Sequence, residues 1–170
     1  GGFKVRRMPD EPSTALQDVG QHVCREVEEF RERDGRSLHV EIEPGTFLVA
    51  RAGAIVATCI DVVDTGRDVY LFAKLDTGMP ELTRPSLYGA QHPIEVLANG
   101  REQKEVVFVG PCCESGDILS PAPGDPEALA PRRVPRPDIG DIVIVGGAGA
   151  YCAGMATINY NSYPQAPEVM

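Results

Sequence analysis

No stretch of this 170-residue chain is apolar for long enough to span a bilayer, and its N-terminus lacks the apolar segment of a secretory leader. Basic residues are few and scattered: the net charge is −9, and the one cluster, Arg132-Arg133 with Arg136, lies in a proline-rich stretch. Nucleic acid and anionic membrane are therefore not expected as partners, because both demand clustered Lys and Arg. The cysteines, 24, 59, 112, 113 and 152, are odd in number and have neither CxxC spacing nor paired histidines. That pattern indicates neither a disulfide framework nor a metal site, and it fits a reducing cytoplasm. The G-x-G-x-x-G dinucleotide fingerprint is missing, as is any internal repeat. Position 1 is not methionine, and Gly1-Gly2-Phe3 reads as a piece of something longer.

What is present divides into two parts. With 42% hydrophobic residues the chain can build one substantial core, or one domain plus part of another. Between Ser13 and Arg33, Leu16, Val19, Val23, Val27 and Phe30 recur at three- and four-residue steps, which predicts an amphipathic helix opening at Pro12-Ser13 and stopping at Asp34-Gly35. Leu38–Glu43 then alternates as a strand should and is halted by Pro44-Gly45. Helix, turn and strand make half of an α/β repeat, and Glu43 would stand at the strand's carboxyl end, where α/β barrels place their active sites. A solvated turn residue is the alternative. Beyond Gly53 come short β-rich runs at 54–63, 69–75, 92–97, 105–109 and 142–145 without long helices between them. The expected fold is mainly β: an antiparallel barrel or sandwich over residues 46–170, preceded over 1–45 by the helix and strand of an α/β repeat. Residues 120–138, with prolines at 121, 123, 126, 131, 135 and 137, read as an exposed excursion.

Three turns carry chemistry-bearing side chains. Thr83–Gly89 reads as a short helix with Pro85 at its start and Gly89 at its exit, placing Arg84 to meet a carboxylate or phosphate, or to form a surface ion pair. Gly146-Gly-Ala-Gly-Ala-Tyr151 lets backbone approach a ligand and offers the Tyr151 hydroxyl to a phosphate. Gly110-Pro-Cys-Cys-Glu-Ser-Gly-Asp117, after Val106–Val109, gathers two thiols and two carboxylates in one turn. A thiol beside an acid can move a proton and an acid can hold an ammonium group, but the same residues also make an ordinary turn with packed thiols.

In order, Gly1-Gly2-Phe3, Glu43-Pro44-Gly45, Arg84-Pro-Ser-Leu-Tyr88-Gly, Gly110–Asp117, Gly149-Ala-Tyr151, and Asn159-Tyr-Asn161 with Pro167-Glu-Val169 resemble the second half of the diaminopimelate decarboxylase family. The resemblance implies the end of an alanine-racemase-like (β/α)8 barrel followed by a β-barrel domain. It implies pyridoxal 5'-phosphate as cofactor, loss of carbon dioxide from meso-diaminopimelate to give L-lysine, and a homodimer with shared active sites. By the same resemblance Glu43 holds the proton on the cofactor's ring nitrogen, and Gly1, Gly2, Gly45 and Tyr151 belong to the cofactor site. Arg84 and Tyr88 hold the substrate's distal carboxylate, Glu114 receives its distal ammonium, and Cys113 is the proton donor serving the neighbouring subunit. Cys112 is assigned to packing.

The chain departs from the family pattern at several points. Thr46 stands where an arginine is usual, so a charged contact must be lost, moved or supplied elsewhere; Tyr163 and Gln165 occupy a tail stretch that is often more basic. Lys4, Lys74 and Lys104 are the only lysines, and none sits where the family's Schiff-base lysine should, so the chain alone is expected to be inactive. Two other readings stay open: a decarboxylase of the same fold acting on ornithine, arginine or a carboxylated polyamine, and a non-catalytic homologue that regulates a decarboxylase by dimerising with it.

Overall fold

The computed structural model describes residues 1–66 and 70–169. The expected strand start at Val69 lies outside the described residues. The elements are α1 (Leu16–Asp34), α2 (Gly45–Val49), α3 (Arg84–Tyr88), and strands β1 (Ile55–Asp64), β2 (Leu71–Leu75), β3 (Ile94–Val96), β4 (Gln103–Val109), β5 (Pro121–Ala122), β6 (Asp125–Leu129), β7 (Arg132–Pro135) and β8 (Ile142–Val145). The main sheet runs β3-β8-β1-β2-β4-β7, with β5-β6 a separate hairpin. Its edge strands β3 and β7 approach each other, so the sheet curls into a nearly closed barrel.

Alternation along β1 sends Ala57 and Cys59 into the core and leaves Val56 and Ile60 outside. On β4, Val106, Val107 and Phe108 are all fully buried, the pattern of a strand covered on both faces. Alongside the end of β4 lies the segment after the 110–117 turn: Ser120 Oγ accepts the Phe108 N–H at 2.9 Å, the Leu119 N–H is donated to the Phe108 carbonyl at 2.9 Å, and Ile118 bridges Val109 antiparallel. Phe108, Leu75, Leu82, Leu119, Val143 and Val145 fill the barrel. That packing anchors the strand from which the cysteine-bearing turn springs.

Three expectations need correction. The sheet is not wholly antiparallel: β2 and β4 pair in parallel, Leu71 opposite Val106. The long crossover that such a pair requires is supplied by the intervening stretch with α3 and β3. The proline-rich segment is not an exposed excursion, since β7 joins the sheet beside β4 and Pro121, Val134 and Pro137 are buried. Proline is tolerated there because β7 is an edge strand, where a missing N–H breaks no ladder. Residues 38–43 form no strand; Leu38, Val40 and Ile42 are 49%, 46% and 59% exposed. Alternation prepares a strand, but a ladder requires a neighbour for its N–H and C=O groups, and none stands alongside among the described residues.

The predicted helix forms and ends as expected, with Gly35 in the left-handed region (φ 69°) and its N–H returned to Arg31. Its start differs. Ser13 and Thr14 do not cap it; they bond Lys4 across a local pairing, with Lys4 N–H to Thr14 Oγ1 at 2.7 Å and Ser13 Oγ to the Lys4 carbonyl at 3.2 Å. None of its residues is buried, although Leu16, Val19 and Val23 line one side. Among the described residues no helix is long and apolar enough to cross a membrane.

Candidate active site

The Gly110–Asp117 turn is closed by Asp117. Its backbone carbonyl accepts the Gly110 N–H at 2.9 Å, while its buried carboxylate takes the Met79 N–H on Oδ1 (2.7 Å) and the Cys112 N–H on Oδ2 (2.9 Å). The carboxylate therefore staples this turn to the Thr77–Leu82 turn that leads into α3. Glycine is required on both sides of it: a Cβ at Gly110 or at Gly78 would lie 2.2 or 2.4 Å from an Asp117 carboxylate oxygen.

The two thiols have different surroundings. Cys112 is half-buried, and burial followed by the Asp117 charge pushes its thiol up to about 12, which leaves it protonated and unreactive at neutral pH. Cys113 is exposed, with its backbone N–H donated to Asn161 Oδ1 at 2.8 Å. Glu114, also exposed, accepts the Gly116 N–H and the Ser115 hydroxyl on Oε1 (3.1 and 3.3 Å) and the Tyr160 hydroxyl on Oε2 (3.1 Å). These donors, Gly116 first and Tyr160 second, hold its carboxyl below the usual glutamate range, so it is an anion at neutral pH.

A second group of charges surrounds α3. Arg84 opens the helix and its guanidinium stands 6.0 Å from the centre of the Tyr88 ring, while Gly89 ends it in the left-handed region (φ 59°). Among the described residues Arg84 Nε is buried without a partner, and so is Arg7 Nη2. Arg7 donates Nε–H to the Gly147 carbonyl at 3.2 Å, and burial followed by the Arg84 charge lowers its pKa. The nearby acid, Glu11, is committed to backbone, taking the Arg7 and Met8 N–H groups on Oε2 at 2.8 and 3.1 Å. Two guanidiniums thus act on one another with buried donors to spare.

Beneath them His92 is fully buried, with Nδ1 3.0 Å from the Gly146 carbonyl, so Nδ1 carries the proton. Burial lowers its pKa from 6.5 to about 4; the Gly146 hydrogen bond opposes this, the Arg7 and Arg84 charges add to it, and Glu11 opposes it least. The folded state therefore binds that proton less tightly than the unfolded state does. The stability from a neutral His92 is complete above about pH 6.5 and is lost as pH falls towards 4. We expect denaturant unfolding to show a loss of about 3 kcal/mol across that window beyond the loss in a His92→Gln variant. Equal pH slopes in the two proteins would remove His92 from the acid response.

The third group is Gly1, Gly2, Glu43 and Gly45. A Cβ on Gly1 would come 3.4 Å from the Glu43 carbonyl oxygen, Gly2 has φ 85°, and Phe3 packs edge-on against Phe47 of α2 at 6.3 Å. Tyr151 is exposed, at φ 57°. The glycine-rich turn before it departs from expectation: it approaches the protein's own backbone. A Cβ at Gly149 would lie 1.9 Å from the Val49 carbonyl oxygen, and the Gly149 N–H bonds the Ala50 carbonyl at 2.9 Å.

The structure therefore brings Arg84 to Tyr88, Gly1 to Glu43, and Cys113 and Glu114 into one turn. Among the described residues no hydrogen bond or ion pair links Cys113 or Glu114 to the other two groups. Sequence reasoning missed Arg7 and His92 as contributors, counted Asp117 among the turn's carboxylates without seeing it as the clamp, and assigned no role to Tyr160 or Asn161. The doublet Arg6-Arg7, outside any helix or strand, was the only signal for the first of these.

Residues 46–149 match the pyridoxal-dependent decarboxylase C-terminal sheet domain, and the chain belongs to that family. Its relatives include two diaminopimelate decarboxylases. That of Streptomyces coelicolor is 35% identical over 175 residues, taking in 100% of this chain and 39% of the relative. That of Escherichia coli K12 is 37% identical over 142 residues, or 80% of this chain and 33% of the relative. A crystal structure of diaminopimelate decarboxylase has a TM-score of 0.89 at 31% identity, covering 99% of this chain and 40% of that one. The enzyme from Helicobacter pylori complexed with L-lysine gives 0.75 at 29%, covering 94% and 35%. The chain thus spans well under half the length of each of these relatives.

Proposed function

We propose that this chain is the C-terminal part of a pyridoxal-phosphate-dependent decarboxylase that converts meso-diaminopimelate to L-lysine and carbon dioxide in the cytoplasm. Residues 1–45 would be the end of its cofactor-binding (β/α)8 barrel and 46–170 its β-barrel domain. The observation that carries the reading is the Cys113–Glu114 pair, an accessible thiol beside a carboxylate held as its anion, on a turn clamped by Asp117. A regulatory homologue has no need of such a pair.

The residues present suit an anionic cofactor and a dicarboxylate substrate. Buried Arg84 Nε and Arg7 Nη2 are donors awaiting an acceptor, and Gly1 beside Glu43 with Gly2 at φ 85° leaves backbone N–H groups free of any Cβ. Gly1 and Gly2 would cradle the phosphate, with Gly45 and the Tyr151 hydroxyl beside them, and the Glu43 carboxylate would hold the proton on the ring nitrogen. Pyridoxal phosphate, when bound, supplies the electron-withdrawing ring that takes up the electron pair left by carbon dioxide. Arg84 and Tyr88 would bind the distal carboxylate. Arg7, whose charge acts on Arg84, would add the guanidinium that Thr46 cannot supply. Glu114 would receive the distal ammonium, and Cys113 Sγ would give its proton to the carbon that has lost carbon dioxide.

Because among the described residues no hydrogen bond or ion pair joins Cys113 or Glu114 to the other two groups, the reading has them serve the active site of a second subunit in a homodimer. Lys74 and Lys104 lie in sheet strands and Lys4 in the N-terminal segment, so the isolated 170 residues are expected to be inactive. In the full-length protein, carbon dioxide should be released from meso-diaminopimelate and not from L-ornithine or L-arginine. Release from a diamine precursor instead would favour the related decarboxylases, and no release from any of them would favour the regulatory homologue. Arg84→Ala should raise KM for meso-diaminopimelate about 10- to 100-fold, the worth of one charge-assisted contact, with cofactor absorbance unchanged. An unaltered KM would dismiss the carboxylate assignment.

A further inference from the structure

The turn bearing Cys113 and Glu114 is exposed, and exposed thiol and carboxylate side chains ordinarily sample several rotamers. Here one short segment near the end of the chain meets the turn residue by residue. The Tyr163 hydroxyl donates to the Pro111 carbonyl at 3.0 Å, Asn161 Oδ1 accepts the Cys113 N–H at 2.8 Å, and the Tyr160 hydroxyl donates to Glu114 Oε2 at 3.1 Å. The partners descend in one strand as they ascend in the other, so the two segments run antiparallel, joined through side chains instead of a backbone ladder. The same register continues to the buried end: the Thr157 hydroxyl donates to the Met79 carbonyl at 2.8 Å, and the Met79 N–H is donated to Asp117 Oδ1 at 2.7 Å.

The backbone of this segment is held in an uncommon conformation. Asn159, Asn161 and Ser162 all have positive φ, at 69°, 51° and 63°. Asparagine tolerates the left-handed region better than most residues, but three such residues among four carry a local cost. What that conformation achieves is visible: it turns Asn161 inward to the Cys113 N–H, between two tyrosines that reach the residues on either side. Each contact falls on the turn that carries the proposed chemistry.

We propose that Thr157–Tyr163 is a clamp that fixes the Cys113–Glu114 turn, with Asn161 and Tyr160 as positioning residues for the thiol and the carboxylate respectively. The proposal rests on the roles given above to Cys113 and Glu114, and it adds what makes those exposed groups point one way. Asn161 sets the backbone from which the thiol projects, and Tyr160 holds one oxygen of Glu114 so that its remaining lone pairs face an incoming ammonium.

The test uses the full-length enzyme and reads amide hydrogen exchange over residues 110–117 beside steady-state kinetics. Asn161→Leu removes the acceptor and should speed exchange at the Cys113 amide and lower kcat, each about tenfold, with KM little changed. Asn161→Asp keeps an acceptor oxygen and should restore both. Tyr160→Phe removes one hydroxyl only and should raise KM for meso-diaminopimelate several-fold, with exchange at Cys113 unchanged. Exchange and kinetics within twofold of the wild type in both Asn161→Leu and Tyr160→Phe would overturn the clamp, even with Cys113→Ala inactive. If Cys113→Ala turned over normally, the proton-donor role would fall instead, and the exchange rates would still decide whether the clamp exists. Should Asn161→Leu fail to fold, Tyr160→Phe carries the test through its KM.

Discussion

In the full-length enzyme, Cys113→Ala is expected to slow decarboxylation of meso-diaminopimelate by about 10²- to 10⁴-fold, the usual worth of a positioned general acid, while the absorbance of the bound cofactor persists. The size of the effect follows from where the two thiols sit. Cys113 is exposed on a turn that Asp117 and the tail hold in place, which suits the donor role proposed for it. Cys112, one residue earlier, points into the protein, and burial beside Asp117 pushes its thiol up to about 12. So weak an acid is poorly matched to proton donation near neutral pH. Cys112→Ala should therefore change turnover little, and the pair of variants separates chemistry from packing within one dipeptide. Wild-type turnover in Cys113→Ala, or an equal loss in Cys112→Ala, would remove Cys113 as the specific donor.

The largest expected effect on stability lies at Asp117. Asp117→Ala removes a buried acceptor and leaves the Met79 and Cys112 N–H groups without partners, in a space that the glycines at 78 and 110 keep tight around the carboxylate. Each stranded donor costs about 1–3 kcal/mol, so the loss should be about 2–6 kcal/mol, measured by denaturant unfolding. Turnover should fall as well, because this carboxylate bonds both the turn carrying Cys113 and the turn leading to Arg84. Asp117→Asn keeps one acceptor oxygen but sets an amide N–H₂ against a backbone donor, so it should lie between the wild type and alanine. A loss below about 0.5 kcal/mol in Asp117→Ala, the range of ordinary surface substitutions, would show that the two turns hold their shape without it.

Much of the local structure was legible because it is written in short-range terms. The three- and four-residue spacing from Leu16 to Phe30 specifies α1, Gly35 and Gly89 supply the left-handed residues that end α1 and α3, and β-branched runs mark β1, β4 and β8. The order of the motifs around Glu43, Arg84, Cys113 and Tyr151 likewise pointed to the family to which the chain belongs. What the residues alone decided, then, is where the chain turns, which runs are strands, and which side chains ride on the turns. Only the tertiary structure decided that β2 and β4 run parallel, that Pro135 of β7 sits on a sheet edge, and that residues 38–43 form no strand. It alone showed that Arg7 and Arg84 share one buried neighbourhood, and that residues 160–163 bond residues 111–114 while Thr157 and Asp117 meet at Met79. Propensity and periodicity act over a few residues, whereas strand partners, burial and hydrogen bonds between residues tens of positions apart depend on which surfaces the folded chain brings together.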